Sequence, residues 1–594
     1  MIGKTFVNIS TKQTCFIIVV SIVCILIYYP GLFSSFELDS NKLFGLYETY
    51  LEKKENINLF ELSFSYDYGR SLSQLSFYIH FLIEKDINPF SIKATNLTLH
   101  LINGWLVWLL SFKFAAHTTY FKQSKLWIAN LTFILWLFSP INMSSVLYAI
   151  QRMNQLATFF SLVSLISYVY LRELHTKVKA PHILNVLLVV ILIISLILGL
   201  LSKENAILVP LFICLVEVSF FQKSTILNNI TKTKALVAML VVLLTFTLFP
   251  INDILNYQAR TFSLYERFIT EFRVIWIYLS EIILPRSIAT GMYHDGFIVS
   301  TGILNPITTI FSLISLICIT IFSIRYLRHI KLQLMAFGFC FFMTGHLLES
   351  TILPLEIFFE HRNYLPSFGI YLSIAAITYS ITKKLNPHLR KVIIGLYILL
   401  FVYIGHTKAI IWTNSIASYT LALDRSYPSA RAASNLAQIY LEQGKYEESK
   451  QLLNDIANTR QDRALQANLQ ILFINCATKI ITPITHYKKF QNVTTRESNI
   501  EISQSLENIL RLKQATSCDA IDNLLLIDSI ESIANTYRME GKDNWHINYY
   551  LAQFYILNNA PQSAISLLKR EAFLGEQKAE IYLKELLKQI PQHD

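Results

Sequence analysis

The stretch "CFIIVVSIVCILIYYPGLF" (Cys15–Phe33) decides the architecture. It follows Lys4 and Lys12 and resembles a secretion signal at first sight. Signal cores run to roughly 7–15 apolar residues and end in a small-x-small cleavage site. This run is longer and lacks such a site, so an uncleaved first membrane span is expected. Similar apolar blocks recur up to Ala409, each able to cross a hydrocarbon core of about 30 Å. With 53% hydrophobic, 13% aromatic and only 15% charged residues, the chain falls in the polytopic membrane class. After Trp412 the sequence turns polar and helix-periodic. The expected fold is therefore all-α: a transmembrane helical bundle over 1–411, then a soluble helical domain over 412–594.

Basic residues set the expected orientation, because Lys and Arg favour short cytoplasmic loops. Candidate inside loops are "KFAAHTTYFKQSK", "RELHTKVKAPH", "QKSTILNNITKTK", "RYLRHIK" and "TKKLNPHLRK", with Glu173 as their single acid. This bias accounts for much of the net charge of +11, which is not read as a nucleic-acid footprint. "FRVIWIYLSEIILP" (Phe272–Pro285) breaks the alternation if it spans. As an interfacial or re-entrant helix, with Glu271, Arg273 and Glu281 toward water, it restores it. About 11 spans follow, with the N-terminus inside and the C-terminus outside. None of the seven cysteines forms a C-x-x-C pair, which argues against a zinc or redox centre.

In this topology the unusual polar residues gather on the outer face. The first outer loop carries Glu37, Asp39 and Arg70, and the second places Arg152 at the head of a span. "LLSKENAILVP" sets Lys203 and Glu204 between apolar runs; "GMYHDGF" carries His294 and Asp295; and "LPLEIFFEHRNYLPSFGIY" carries Glu360, His361 and Arg362. Each has a plainer reading. Lys203 and Glu204 can pair at a helix turn, Arg152 can snorkel, and His294–Asp295 can be solvated polarity. His100 and His346 read as core histidines with satisfied hydrogen bonds. Taken together, cations at a leaflet edge suit a lipid phosphate, and a nearby carboxylate suits a general base for a hydroxyl.

The segments "PGLFSSFELDS", "GRSLSQLSFYIHFLIEKDINPFSIKATNLTLHLINGWLVWLL", "LFSPINMSSVLYAIQRMNQLATFFSLVSLISYVYLR", "LGLLSKENAILVPL" and "FEHRNYLPSFG" resemble, in order, the GT-C glycosyltransferases. The likeness is to bacterial relatives of the transmembrane-and-tetratricopeptide protein O-mannosyltransferases. The resemblance implies a catalytic carboxylate at Asp39, with Glu37 as the fallback. It also implies a polyprenyl-phosphate-linked sugar as donor and a protein hydroxyl as acceptor. Arg70, Arg152, Lys203, Glu204, His294, Glu360, His361 and Arg362 would hold donor phosphate or sugar. Relatives often carry two adjacent acids where this chain has Asp39–Ser40, so the resemblance implies no certain cofactor and leaves dependence on a divalent metal open.

"SARAASNLAQIYLEQGKYEESKQLLNDI" (Ser429–Ile456) follows the tetratricopeptide pattern, with Gly444 at the turn. "HINYYLAQFYILNNAPQSAISLLKRE" (His546–Glu571) repeats it, with Asn558–Asn559 in the turn. Such an array suits a protein or peptide acceptor, or serves packing and oligomerisation. Cys476 and Cys518, the two cysteines of this region, read either as a disulfide or as small buried hydrophobes. The expected setting is a bacterial inner membrane, with membrane lipid around the bundle and the C-terminal domain in the periplasm. Two other functions fit the same residues: a ligase or polymerase using a lipid diphosphate, and a non-enzymatic assembly scaffold with a docking arm.

Overall fold

The computed structural model describes residues 10–41, 43–45, 47, 70–175, 182–221, 257, 260–286, 292–424, 427–491, 497, 499–516, 518–539, 545–574 and 576–589. No strand occurs among them. The chain divides into two units: one takes Met1–Ile254, Glu266–Met292 and Ser300–Ser418, and the other Leu255–Tyr265, Tyr293–Val299 and Tyr419–Asp594.

In the first unit the helices are α1 (Thr11–Tyr28), α2 (Ser71–Glu84), α3 (Pro89–Ala116), α4 (Lys125–Leu137), α5 (Met143–Leu147), α6 (Arg152–His175), α7 (His182–Leu200) and α8 (Val209–Val216). They continue as α9 (Leu264–Ile283), α10 (Thr308–Tyr326), α11 (Gln333–Gly345), α12 (Ser367–Thr382) and α13 (Pro387–Thr413). Among the described residues seven helices are long and apolar enough to cross a membrane, or eight if the bent pair Lys122–Leu137 and Pro140–Leu147 is one span. Gln333–Gly345 and Ser367–Thr382 are shorter apolar helices. The expected eleven spans are not reached among these residues. The loop expected at "QKSTILNNITKTK" and the apolar run after it lie outside them.

Composition explains which helices sit inside. α7 has no polar face and exposes Ile183, Leu187, Ile193 and Ile197, as an all-apolar helix does toward lipid. α6 carries Asn154, Gln155, Ser161 and Ser164 and buries all four. It packs on α3 and α7, and Ser164 meets Ser195 of α7 at 2.7 Å. α11 and α12 cross at Gly338 and Gly369, where a Cβ on either glycine would overlap the other's carbonyl oxygen. Small residues permit such close approach between helices that have no hydrophobic drive to associate in lipid.

α9 departs from the sequence reading. Glu271 and Glu281 do not face water; both are buried. Arg267 lies one turn away, 3.0 Å from Glu271, and Arg362 approaches the same carboxylate at 3.5 Å. Arg286 holds Glu281 at 3.1 Å, and Arg273, half-buried, donates to Ser300 Oγ at 3.1 Å. With cations waiting inside, the charged face of this helix turns into the protein.

The second unit contains α15 (Ala430–Glu442), α16 (Tyr446–Thr459), α17 (Ala464–Thr478), α18 (Asn499–Ala515), α19 (Asn523–Met539), α20 (Trp545–Leu557), α21 (Pro561–Phe573) and α22 (Gln577–Gln589), following α14 (Ser415–Leu423). Ala430, Ala433 and Ala437 fall on one face of α15 and pack with Leu453, Ile456 and Ile471. Gly444 takes φ +74° between α15 and α16, and Asn559 takes φ +54° between α20 and α21. These are left-handed positions that Gly and Asn tolerate. Cys476 and Cys518 are joined by a disulfide across 42 residues of sequence. Asp295 belongs to this unit too, although the sequence reading placed it in the membrane body. Its carboxylate accepts from Ala430 N at 3.0 Å and Arg431 N at 3.3 Å, a negative charge at the start of α15.

Candidate functional site

Lys93 of α3 fixes the start of the first loop. Its buried ammonium donates to Ser34 O at 2.5 Å, Ser34 Oγ at 2.6 Å and Ser35 O at 2.9 Å. The chain then turns sharply, with Leu38 at φ +53°. A branched residue adopts that left-handed conformation at a cost of about 1–2 kcal/mol. The turn separates the two loop acids. Glu37 is buried and accepts from Ser415 Oγ at 2.9 Å, whereas Asp39 is exposed.

Tyr148, between α5 and α6, positions Asp39. Its hydroxyl donates to Asp39 Oδ2 at 3.2 Å and accepts from Asp39 N at 3.1 Å. On its other side the phenol ring lies 6.4 Å from the His361 ring. Asn154 of α6 holds His361 in turn, donating to its carbonyl at 2.7 Å, and accepts from Asn205 at 3.1 Å. His361 is buried, and its Nδ1 has no hydrogen-bond partner. Burial, then the charges of Lys203, Arg362 and Arg70, push the imidazole well below its ordinary value. It is therefore neutral, with a ring nitrogen to offer.

Two cations stand beside it. Arg70 grips Glu204 through two bonds, at 3.0 and 2.6 Å, and its side chain keeps 22% of its surface open. Lys203 pairs with Glu349 at 2.5 Å, and both are buried. Lys203 and Glu204 thus do not pair with each other; each finds its partner on another element.

Three other expected residues are turned inward. Arg152 is fully buried, donating to Asn96 Oδ1 at 2.9 Å, Ile92 O at 3.1 Å and Ser76 O at 3.3 Å, over the Phe77 ring. Arg362 donates to Ile357 O at 2.9 Å and to Glu356 O, beside Glu271. Glu360 pairs with Lys408 of α13 at 2.6 Å, deep in the protein. These groups hold the frame behind the site. His294 belongs to the second unit. His100 bonds Tyr364 and the Leu137 carbonyl, and His346 bonds Ser350 and Asn363, so both are satisfied core histidines.

Tyr148, Asn154, Lys93, Glu349 and Lys408 were not singled out in the sequence. For Lys93 and Lys408 a signal existed: a lysine within an apolar helix demands a partner. Among the described residues no three His, Cys, Asp or Glu side chains gather as a metal site.

A tetratricopeptide repeat family profile matches residues 414–470, covering α14 to the middle of α17. No curated protein matches the chain. No solved structure matches it either.

Proposed function

We propose that this chain is a membrane glycosyltransferase that moves a sugar from a polyprenyl-phosphate-linked donor to a hydroxyl of an exported protein. The observation that carries the reading is Tyr148, bonded to Asp39 on one side and 6.4 Å from the His361 ring on the other, with the Nδ1 of that ring unpartnered and the charges of Arg70 and Lys203 acting on it. A base, a neutral hydrogen-bonding ring and cations are what transfer from a phosphate-linked sugar needs. Asp39 takes the proton of the acceptor hydroxyl as its oxygen bonds the anomeric carbon. The bond from that carbon to the phosphate oxygen breaks, and the electron pair leaves with the lipid phosphate. Arg70, the more open cation, contacts the phosphate, with Lys203 behind it. Tyr148 keeps the Asp39 carboxylate in place. Arg152 and Arg362, enclosed by protein carbonyls and carboxylates, act as supports.

The tetratricopeptide array brings the acceptor protein. The Cys476–Cys518 disulfide supports an oxidising compartment for that array, hence a periplasmic C-terminus and a cytoplasmic N-terminus in a bacterial inner membrane.

The test is Asp39→Asn in the purified full chain, supplied with labelled polyprenyl-phosphate sugars and a peptide carrying Ser and Thr. Transfer should fall at least about 10²-fold with donor binding retained. Glu37→Gln should be milder, because Glu37 is turned away toward Ser415. Normal transfer by both variants sinks the mechanism.

A further inference from the structure

A second gathering of cations stands at the end of α12 far from His361. With 16 residues at 1.5 Å each, the two ends of that helix lie about 24 Å apart. Here the chain between α3 and α4, the end of α12 and the start of α13 come together. The Tyr379 ring of α12 meets Phe121 at 6.0 Å and Trp127 of α4 at 5.4 Å between ring centres. Arg390 of α13 caps two of these rings: its guanidinium carbon lies 4.6 Å from Trp127 and 5.4 Å from Tyr379. Lys383, just past α12, sits 4.5 Å over the Tyr120 ring and donates to its hydroxyl at 2.5 Å. That bond holds the Tyr120 phenol below its ordinary value, and the charge of Lys331 pulls the same way.

Aromatic faces answer these charges only in part. Arg390 Nη2 is buried without a hydrogen-bond partner. The segments "KFAAHTTYFKQSK", "RYLRHIK" and "TKKLNPHLRK", which supply Tyr120, Lys331, Lys383 and Arg390, contain no acid. Among the described residues none of the three cations pairs with a carboxylate from another segment. Buried lysines elsewhere in this unit are answered, Lys203 by Glu349 and Lys408 by Glu360. The preference of Lys, Arg and aromatic residues for membrane-flanking positions explains why such groups occur at helix ends. It does not explain a guanidinium clamped on two rings with a donor left over.

Stacking fixes the plane of a guanidinium and leaves its N–H edge for the oxygens of a phosphate. Apolar surface for the rest of such a ligand lies alongside. Leu126 of α4, Ile381 of α12, and Leu389 and Val392 of α13 are exposed, each one or two positions from Trp127, Lys383 or Arg390. A soluble anion would make no use of them. A zwitterionic headgroup would bring its own ammonium toward Lys383 and Lys331. We propose that this cluster binds the phosphodiester headgroup of an anionic phospholipid. Arg390 holds the phosphate, Lys383 and Lys331 flank it, and the acyl chains lie along the exposed apolar residues of the three helices. Basic pockets between membrane helices are suited to such headgroups. The inference is independent of the transfer reading, because it uses none of the same residues.

The test is native mass spectrometry of the delipidated full chain in non-ionic detergent. The chain is titrated separately with dioleoyl-phosphatidylglycerol, dioleoyl-phosphatidylcholine and inorganic phosphate. The first phosphatidylglycerol should bind at least about 10-fold more tightly than the first phosphatidylcholine, and millimolar phosphate should not displace it. Arg390→Gln should weaken phosphatidylglycerol about 10-fold, because a charge-assisted contact is lost. Lys383→Gln, at an exposed helix end where folding is not at stake, should weaken it about 5-fold. Lys125→Gln removes an equal charge from another face of α4, where Lys125 lies 4.8 Å over the Phe112 ring, and should change nothing. Equal affinity for the two lipids, displacement by phosphate, or parent-like binding by both the Arg390 and Lys383 variants overturns the proposal. Equal losses in the Lys125 and Arg390 variants overturn it too, since they leave only diffuse positive charge. No probe carries a sugar, so each of these results leaves the glycosyl-transfer reading standing, and failure of the Asp39 test leaves this one standing.

Discussion

The Lys408–Glu360 pair offers the sharpest test of how the membrane unit is held together. Lys408 Nζ donates to Glu360 Oε2 at 2.6 Å and to Pro140 O at 3.0 Å. The two side chains expose only 1% and 6% of their surface, so water screens the pair little. Replacing Lys408 by Met keeps the length and apolar stem but takes the buried cation from the Glu360 carboxylate and a donor from the Pro140 carbonyl. Breaking a buried pair on one side costs about 3–5 kcal/mol, because an uncompensated charge is left behind. Removing both charges is a different perturbation. Lys408→Met with Glu360→Leu strands no ion, and exchanges of buried pairs for apolar residues are often neutral. The double variant should therefore be more stable than the lysine single, a non-additivity of about 2–3 kcal/mol. Unfolding of the full chain in mixed detergent–SDS micelles, followed by tryptophan fluorescence, measures the cycle. A lysine single within about 1 kcal/mol of the parent, or strict additivity, would refute the claim that this pair is a dry internal clamp.

Gly338→Ala should cost about 1–3 kcal/mol by forcing α11 and α12 apart, while Gly395→Ala, where nothing lies within 4 Å, should cost nothing by the same melts. Burial pushes the Asp462 carboxyl up, but its bonds to Arg460 and the charges of Arg460 and Arg463 outweigh this and hold it below its ordinary value. A lowered carboxyl stabilises the fold above its unfolded pKa of about 3.9 and loses that contribution as pH falls. The melting difference between the parent and Asp462→Asn should accordingly be present near neutrality and vanish in acid. The Cys476–Cys518 bond closes a loop with a sequence separation of 42, and its reduction or Cys518→Ser should destabilise the array by about 2–4 kcal/mol; thiol labelling before and after reduction, with melts of both forms, checks it.

The features legible in the sequence are those fixed by local chemistry. Apolar runs such as Thr11–Tyr28 and His182–Leu200 announce themselves because lipid leaves the backbone no alternative to a helix. Gly444 and Asn559 mark turns because few residues accept a positive φ. Charge direction is another matter. The i, i+4 pair Arg267–Glu271 looks like a surface feature until Arg362, about ninety residues later, arrives on the same carboxylate. Arg152 and Arg362 look like phosphate ligands because their hydrogen-bond partners are mostly backbone carbonyls, which no side-chain pattern records.

That accounting also narrows the chemistry at the site. A guanidinium can serve a ligand only with N–H groups that the protein has not already taken. Arg362 faces Ile357, Glu356 and Glu271 at once, and moving it to a phosphate would take one of two cations from the buried Glu271 carboxylate. Arg152 would have to abandon Asn96 and two carbonyls. Arg70 bears the lighter constraint: its partner Glu204 is itself a third exposed, and water can replace what a ligand displaces. A site whose internal cations are committed to internal acids can bind an anion at its mouth without unfolding its frame. On that ground the proposed transfer would place its phosphate at Arg70, near the His361 ring.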